Sequence, residues 1–276
     1  MMTDEDVSAR DLADDLVDHS PGQSAIAELL AAHSQVPERS ILARLVGQSP
    51  LTPDTRPLYD TALGEVEVGD ALEALGEGWA VLHCLPVAAG ASDIDHLVIG
   101  PSGVYIVATR NHTNQTVWAS QRTLMVGGIR YPDIRNMEYE MGRVERILSA
   151  AAGCQIEVSA ILAVVAPKSL TVRQKHRDVE VLTAAQLEQW LTLRRRILAP
   201  ADVASIAEAA MKTSTWHTGD TPRVDAAAVR HGFNRLRVEV ARAWRLQLFW
   251  ASTLVIVTAG AFIGVMYEIL ASALGA

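Results

Sequence analysis

From Leu246 to Tyr267 the chain runs LQLFWASTLVIVTAGAFIGVMY, 22 residues without a charge, and no other stretch limits the fold so strongly. A helix needs about 20 apolar residues to cross hydrocarbon. A helix in a soluble core is shorter, or shows a polar face to water. This segment has no such face, so residues 246–270 are expected to sit in a lipid bilayer as a transmembrane helix. The preceding residues include Arg230, Arg235, Arg237, Arg242 and Arg245, and no Lys or Arg follows the span. That asymmetry implies a single-pass protein of the cell membrane with its N-terminal domain in the cytoplasm. Trp244 and Trp250 at one end and Tyr267 at the other fit interfacial anchors. Gly260 and Gly264 form a GxxxG spacing suited to a homodimer of spans, a weak motif because glycine is common in such helices.

The rest of the chain is acidic at its start. Residues 1–60 carry 4 Arg against 11 Asp or Glu, whereas Arg223 to Arg245 carry 6 Arg against Asp225 and Glu239. A net charge of −8 argues against a duplex-DNA binder in the ordinary sense. The opening MMTDEDVSARDLADDL lacks the basic start and apolar core of a signal peptide. Residues 1–60 read as an acidic arm of short helices broken at Pro21, Pro37, Pro50, Pro53 and Pro57, with Ile26, Leu29, Leu30, Ile41, Leu42 and Leu45 at helical spacing. Cys84 and Cys154 have no partners at metal-ligand spacing and are expected as buried, reduced thiols.

The chemistry concentrates in DIDHLVIGPSGVYIVATRN, residues 93–111. Two apolar runs flank a Gly-Pro-Ser-Gly turn, the pattern of a β-hairpin. If Gly100 pairs with Gly103, Asp95 lies across the ladder from Ala108, and Arg110 shares that face because alternate strand residues point the same way. His96 points to the other face and reads as a packed or surface histidine.

Gly64-Glu65, Asp95-His96 within IDHLVIGPSGVYIV, and Arg110-Asn111 resemble the nuclease-related domain family, NERD, over about Thr61 to Pro167. The resemblance implies the restriction-endonuclease-like superfamily, whose sites use an acid, then an acid, any residue and a lysine. The fold implied is α/β, a three-layer core with a mixed sheet. At the second-acid position this chain has Ala108, and at the lysine position Arg110. Alanine cannot ligate a metal, and a permanently protonated guanidinium cannot act as a base. The catalytic set that resemblance carries over is thus Asp95, Glu65 and Arg110, in degenerate form. Asp95, Glu65 and Asp93 are the candidate metal ligands, with Mg²⁺ or Mn²⁺ the ion if the site is active and no resident cofactor expected otherwise. Glu65 also reads as a first-turn acid complementing a helix dipole. An Asp95–Arg110 ion pair in place of a metal is the preferred reading.

Around this hairpin, Leu63 to Leu75 reads as a helix and Trp79 to Leu85 as a strand. Thr116–Ala119 and Thr123–Val126 read as strands, Pro132–Ala152 as a long helix and Val158–Val165 as a strand buried on both faces. Val179–Leu182 is a strand, Thr183 caps Ala184–Leu193, and Ala201–Met211 is a last helix before the linker 213–224. The organisation expected is an arm over 1–60, the NERD-like domain over 61–212, the linker, a basic helix over 225–245 and the span. Lys168, Arg173, Lys175 and Arg177 read as a loop suited either to phosphate contact or to plain solvation. The functions in view are a non-catalytic module binding nucleic acid or a protein at the membrane, a metal-dependent nuclease with a rearranged site, and a structural or signalling module.

Overall fold

A computed structural model describes residues 19–87, 93–216 and 225–274. In chain order the elements begin with helices α1 (Gln23–Ser34), α2 (Ile41–Leu45) and α3 (Thr55–Glu73), then strands β1 (Ala80–Leu85), β2 (Ile94–Gly100) and β3 (Gly103–Asn111). Strands β4 (Thr116–Ala119), β5 (Leu124–Val126) and β6 (Ile129–Tyr131) lead to helix α4 (Asp133–Ala152). Strands β7 (Val158–Val165), β8 (Ser169–Val172) and β9 (Val179–Thr183) are followed by helices α5 (Leu187–Leu193), α6 (Pro200–Met211) and α7 (Ala226–Leu274).

The unbroken apolar run of β7 places it between β3 and β9, parallel to both, in a five-stranded sheet ordered β1-β2-β3-β7-β9. The β1-β2-β3 side is antiparallel, so the sheet is mixed. Strand alternation divides it between two cores. Val104, Ile106 and Ala108 of β3, with Ala160, Leu162 and Val164 of β7, pack with Ile134, Met137, Val144 and Leu148 of α4 and with Ile206 of α6. Tyr105 and Val107, with Ile161, Ala163 and Val165, pack on Val68 and Leu72 of α3 and on Leu187 and Leu191 of α5. Helices thus cover both faces, an α/β sandwich as expected.

Several local readings differ from the structure. Pro57 lies in the first turn of α3 rather than breaking it, because a proline there sacrifices no helical hydrogen bond. The Lys168–Arg177 segment is not all loop. Ser169–Val172 forms β8, which adds in parallel to β4 in a second sheet ordered β6-β5-β4-β8. Cys154 is exposed, in the turn after Gly153 ends α4 with φ 67°, while Cys84 is buried; both are free thiols.

Helix α7 is long and apolar enough to cross a membrane, and its apolar window is uncovered by the rest of the chain. Its first half is different. Val229, Phe233 and Leu236 are buried against Ile26 and Leu29 of α1, Leu51, and Tyr59 and Ala62 of α3. The spacing of these α7 residues makes one stripe along the helix.

Candidate functional site

Two contacts bring α3 down onto the end of β3. A Cβ on Gly64 would stand 3.2 Å from Thr109 Cγ2 and 3.3 Å from Asn111 Cβ, so only glycine fits without displacing them. Asn111 Nδ2 donates to the Asp60 carbonyl at 2.6 Å. Glu65, the next residue of α3, is thereby buried within electrostatic reach of Asp95 and Arg110. The helix starts ten residues earlier, at Thr55, which removes the first-turn role for Glu65.

The hairpin has the expected register, from Gly100 opposite Gly103 to His96 opposite Val107. At the next step the Asp95 carboxylate replaces a backbone partner, with Thr109 N–H donating to Oδ2 at 2.7 Å. Ala108 is buried in the larger core and offers only a methyl group where the family pattern has an acid. Opposite the site, Cys84 has φ 50°, a left-handed conformation uncommon for a residue with a side chain. Burial pushes its thiol up to about 12.

The Asp95–Arg110 ion pair does not form as a contact. Arg110 Nε donates to Asp133 Oδ1 at 2.7 Å, and its Nη1 donates to the Thr109 carbonyl at 2.7 Å. The reason is that α4 begins at the end of β3, and Asp133, its first residue, is carried straight to the guanidinium. Burial alone would lower the Arg110 pKa, but Asp95 and Asp133 raise it, so the group stays charged.

Burial, reinforced by Asp95 and Asp93, pushes the Glu65 carboxyl up to about 9, despite Arg110. Burial also raises Asp95, opposed by Arg110 and by the Thr109 N–H. Burial, then the charge of Asp95, raises Glu140. Asp133 and Glu140 were not among the sequence candidates. Their only local signal is an acid early in a helix that follows Pro132. Asp93 accepts from Ser24 Oγ at 2.6 Å, which ties it to α1. His19 Nδ1 donates to the Cys84 carbonyl at 3.1 Å, so His19, four residues before α1, also lies against this end of the sheet.

His96 is fully buried on the opposite face, 0% exposed, its Nδ1 2.8 Å from His83 Nδ1. That contact needs one proton between two nitrogens. Burial lowers His83 to about 4 and His96 well below its ordinary range, so both are neutral packing groups.

A hard divalent cation requires several ionised oxygens. Ala108 supplies none, Asp95 Oδ2 already accepts from Thr109 N–H, and Asp133 Oδ1 from Arg110. No three His, Cys, Asp or Glu side chains among the described residues are grouped to hold a metal.

The raised Glu65 pKa has a definite sign in stability. Unfolded, the carboxyl ionises near 4.5; folded, it holds its proton to about 9, so its contribution is present below 4.5 and is lost as pH rises toward 9. Glu65→Gln is therefore expected to match the parent near pH 4.5 and to exceed its stability at pH 8 by about 1 kcal/mol or more, since one unit is worth about 1.4 kcal/mol. Chemical denaturation across that range checks it. A constant difference between the two proteins would remove the protonated-Glu65 assignment.

Lys168 immediately precedes β8 and Arg173, Lys175 and Arg177 follow it; β8 belongs to the second sheet, whereas Asp95 is on β2 of the first. Lys175 pairs with Glu180 at 2.9 Å and Arg177 with Asp178 at 3.6 Å.

Among known proteins, no curated sequence and no solved structure matches the chain. Residues 61–165 match the family model described as the nuclease-related domain, NERD. That interval contains Gly64, Glu65, Asp95, Ala108, Arg110 and Asp133, so the altered site lies inside the stretch over which the chain is similar to the nuclease-related domain family.

Proposed function

We propose that this is a single-pass membrane protein whose NERD domain stands at the cytoplasmic face as a binding module for nucleic acid or a protein partner, without phosphodiesterase activity. The Arg110–Asp133 ion pair carries the reading. A fixed guanidinium stands among the carboxylates where a restriction-endonuclease-like site would need a metal, and it cannot take a proton from water. The arginine-rich start of α7 supports the orientation. Gly260 and Gly264, with nothing within 4 Å of either added Cβ, leave room for a second copy of the span. For nucleic acid, Lys168 and Arg173 are the leading contacts, since Lys175 and Arg177 already have acidic neighbours.

A second reading, a nuclease with a rearranged site, draws on Asp95 and Asp93, whose negative charges both act on the buried Glu65 carboxyl, a cluster of acids that a cation would relieve. Full-length protein in detergent, incubated with single-stranded, duplex and branched DNA and Mg²⁺ or Mn²⁺, separates the two. The expected result is no more cleavage than Asp95→Ala shows; cleavage that this substitution abolishes establishes the nuclease. Where DNA binds, Lys168→Ala with Arg173→Ala is expected to lower the salt slope by about 2, near 0.9 per phosphate contact. A flat salt dependence leaves the protein partner.

A further inference from the structure

Most exposed apolar residues outside the span lie singly, but four are consecutive or nearly so. Ile41 is 77% exposed, Leu42 74%, Leu45 58% and Val46 58%. They form α2 and its C-terminal cap, a short helix started by Ser40, whose Oγ accepts from Ala43 N–H, and with no buried residue of its own. An apolar tip of this kind is costly in water, about 1.5–3 kcal/mol for each large side chain left uncovered.

Three contacts fix its height along α7. Arg39 pairs with Glu239 at 2.8 Å. Gly47, at φ 78°, fits against α7 so closely that a Cβ there would stand 2.6 Å from the Ala243 carbonyl and 2.8 Å from Gln247 N. Between them the Leu45 carbonyl accepts from Trp250 Nε1 at 2.9 Å. The loop therefore descends from the level of Glu239 to that of Trp250 and climbs back. Trp250 stands four residues beyond Leu246, about 6 Å along the helix into the uncharged stretch. Arg44 lies on α2 itself, its guanidinium 3.4 Å from Glu38, and Arg242 and Arg245 precede the uncharged stretch on α7.

We propose that Ile41, Leu42, Leu45 and Val46 insert into the headgroup–acyl boundary of the bilayer crossed by α7, as a second membrane contact on the domain side. The inference rests on α7 being a membrane span. Its occupant is lipid because the tip adjoins the span directly and lies at the depth where interfacial helices bury their apolar faces, about 5–10 Å. The neighbouring arginines suit anionic headgroups.

The test uses the full chain with Cys154→Ser, reconstituted in vesicles of equal parts phosphatidylcholine and phosphatidylglycerol. Nitroxide labels are placed singly at Leu42→Cys, at Val257→Cys in the span and at Glu77→Cys on the domain. Collision with oxygen is expected to dominate over collision with a water-soluble nickel chelate at 42 and 257, and the ratio to reverse at 77. Oxygen-dominated 257 with water-like 42 overturns the proposal and leaves the span intact. Water-like 257 overturns both.

Discussion

The full chain is expected in the membrane pellet, and a chain ending at Arg245 in the supernatant after a high-salt wash, folded. Placement of the cut decides the outcome. Residues 246–270 hold the uncharged stretch, whereas Val229, Phe233 and Leu236 are buried against α1 and α3. Burial of each is worth about 1.5–3 kcal/mol, against a typical total stability of about 5–15 kcal/mol. A cut after Trp216 would strip that cover from Leu29, Tyr59 and Ala62 and is expected to give aggregate instead of soluble protein. Fractionation with circular dichroism of the supernatant checks both. If the chain ending at Arg245 still pelleted with membranes after the wash, the span would not be the main anchor, and the tip at Ile41, Leu42, Leu45 and Val46 would hold the domain on the bilayer by itself.

Arg110→Ala is expected to cost about 3 kcal/mol. Removing one partner of a buried ion pair typically costs about 3–5 kcal/mol, because the remaining charge is left without compensation. Asp133 is the buried member, with 9% of its side chain exposed against 36% for Arg110, so the low end applies. Asp133 also lies in the first turn of α4, where the helix dipole gives its charge some support. Denaturant unfolding of Arg110→Ala, Asp133→Asn and the pair provides a double-mutant cycle. The pair is expected to recover much of the loss, because neither charge then stands alone. Additive losses, or a loss below about 0.5 kcal/mol for Arg110→Ala, would show that the contact does not organise the site.

What could be read directly from residues was whatever rests on local pattern. The Gly100–Gly103 register, the length of β7 and the apolar span each follow from spacing within one segment. The Arg110 partner does not, since Asp133 is 23 residues away and reaches the site only because α4 starts beside the end of β3. Strand β8 is hidden for a related reason: SLTV alternates polar and apolar residues but is only four residues long within a basic segment, and the edge of β4 recruits it. Ile41, Leu42 and Leu45 repeat at helical spacing as Ile26 and Leu29 do, yet the first group is exposed and the second buried. Periodicity reveals an apolar face but not what covers it.

Helix α7 continues without interruption from the stripe beneath α1 and α3 into the apolar stretch, 49 residues or about 74 Å of one rod. No swivel separates the two halves. Once inserted, a span that leans to match a thinner bilayer must lean the α/β domain by the same angle. Membrane thickness would then set which side of the protein looks down at the lipid and which looks away from it.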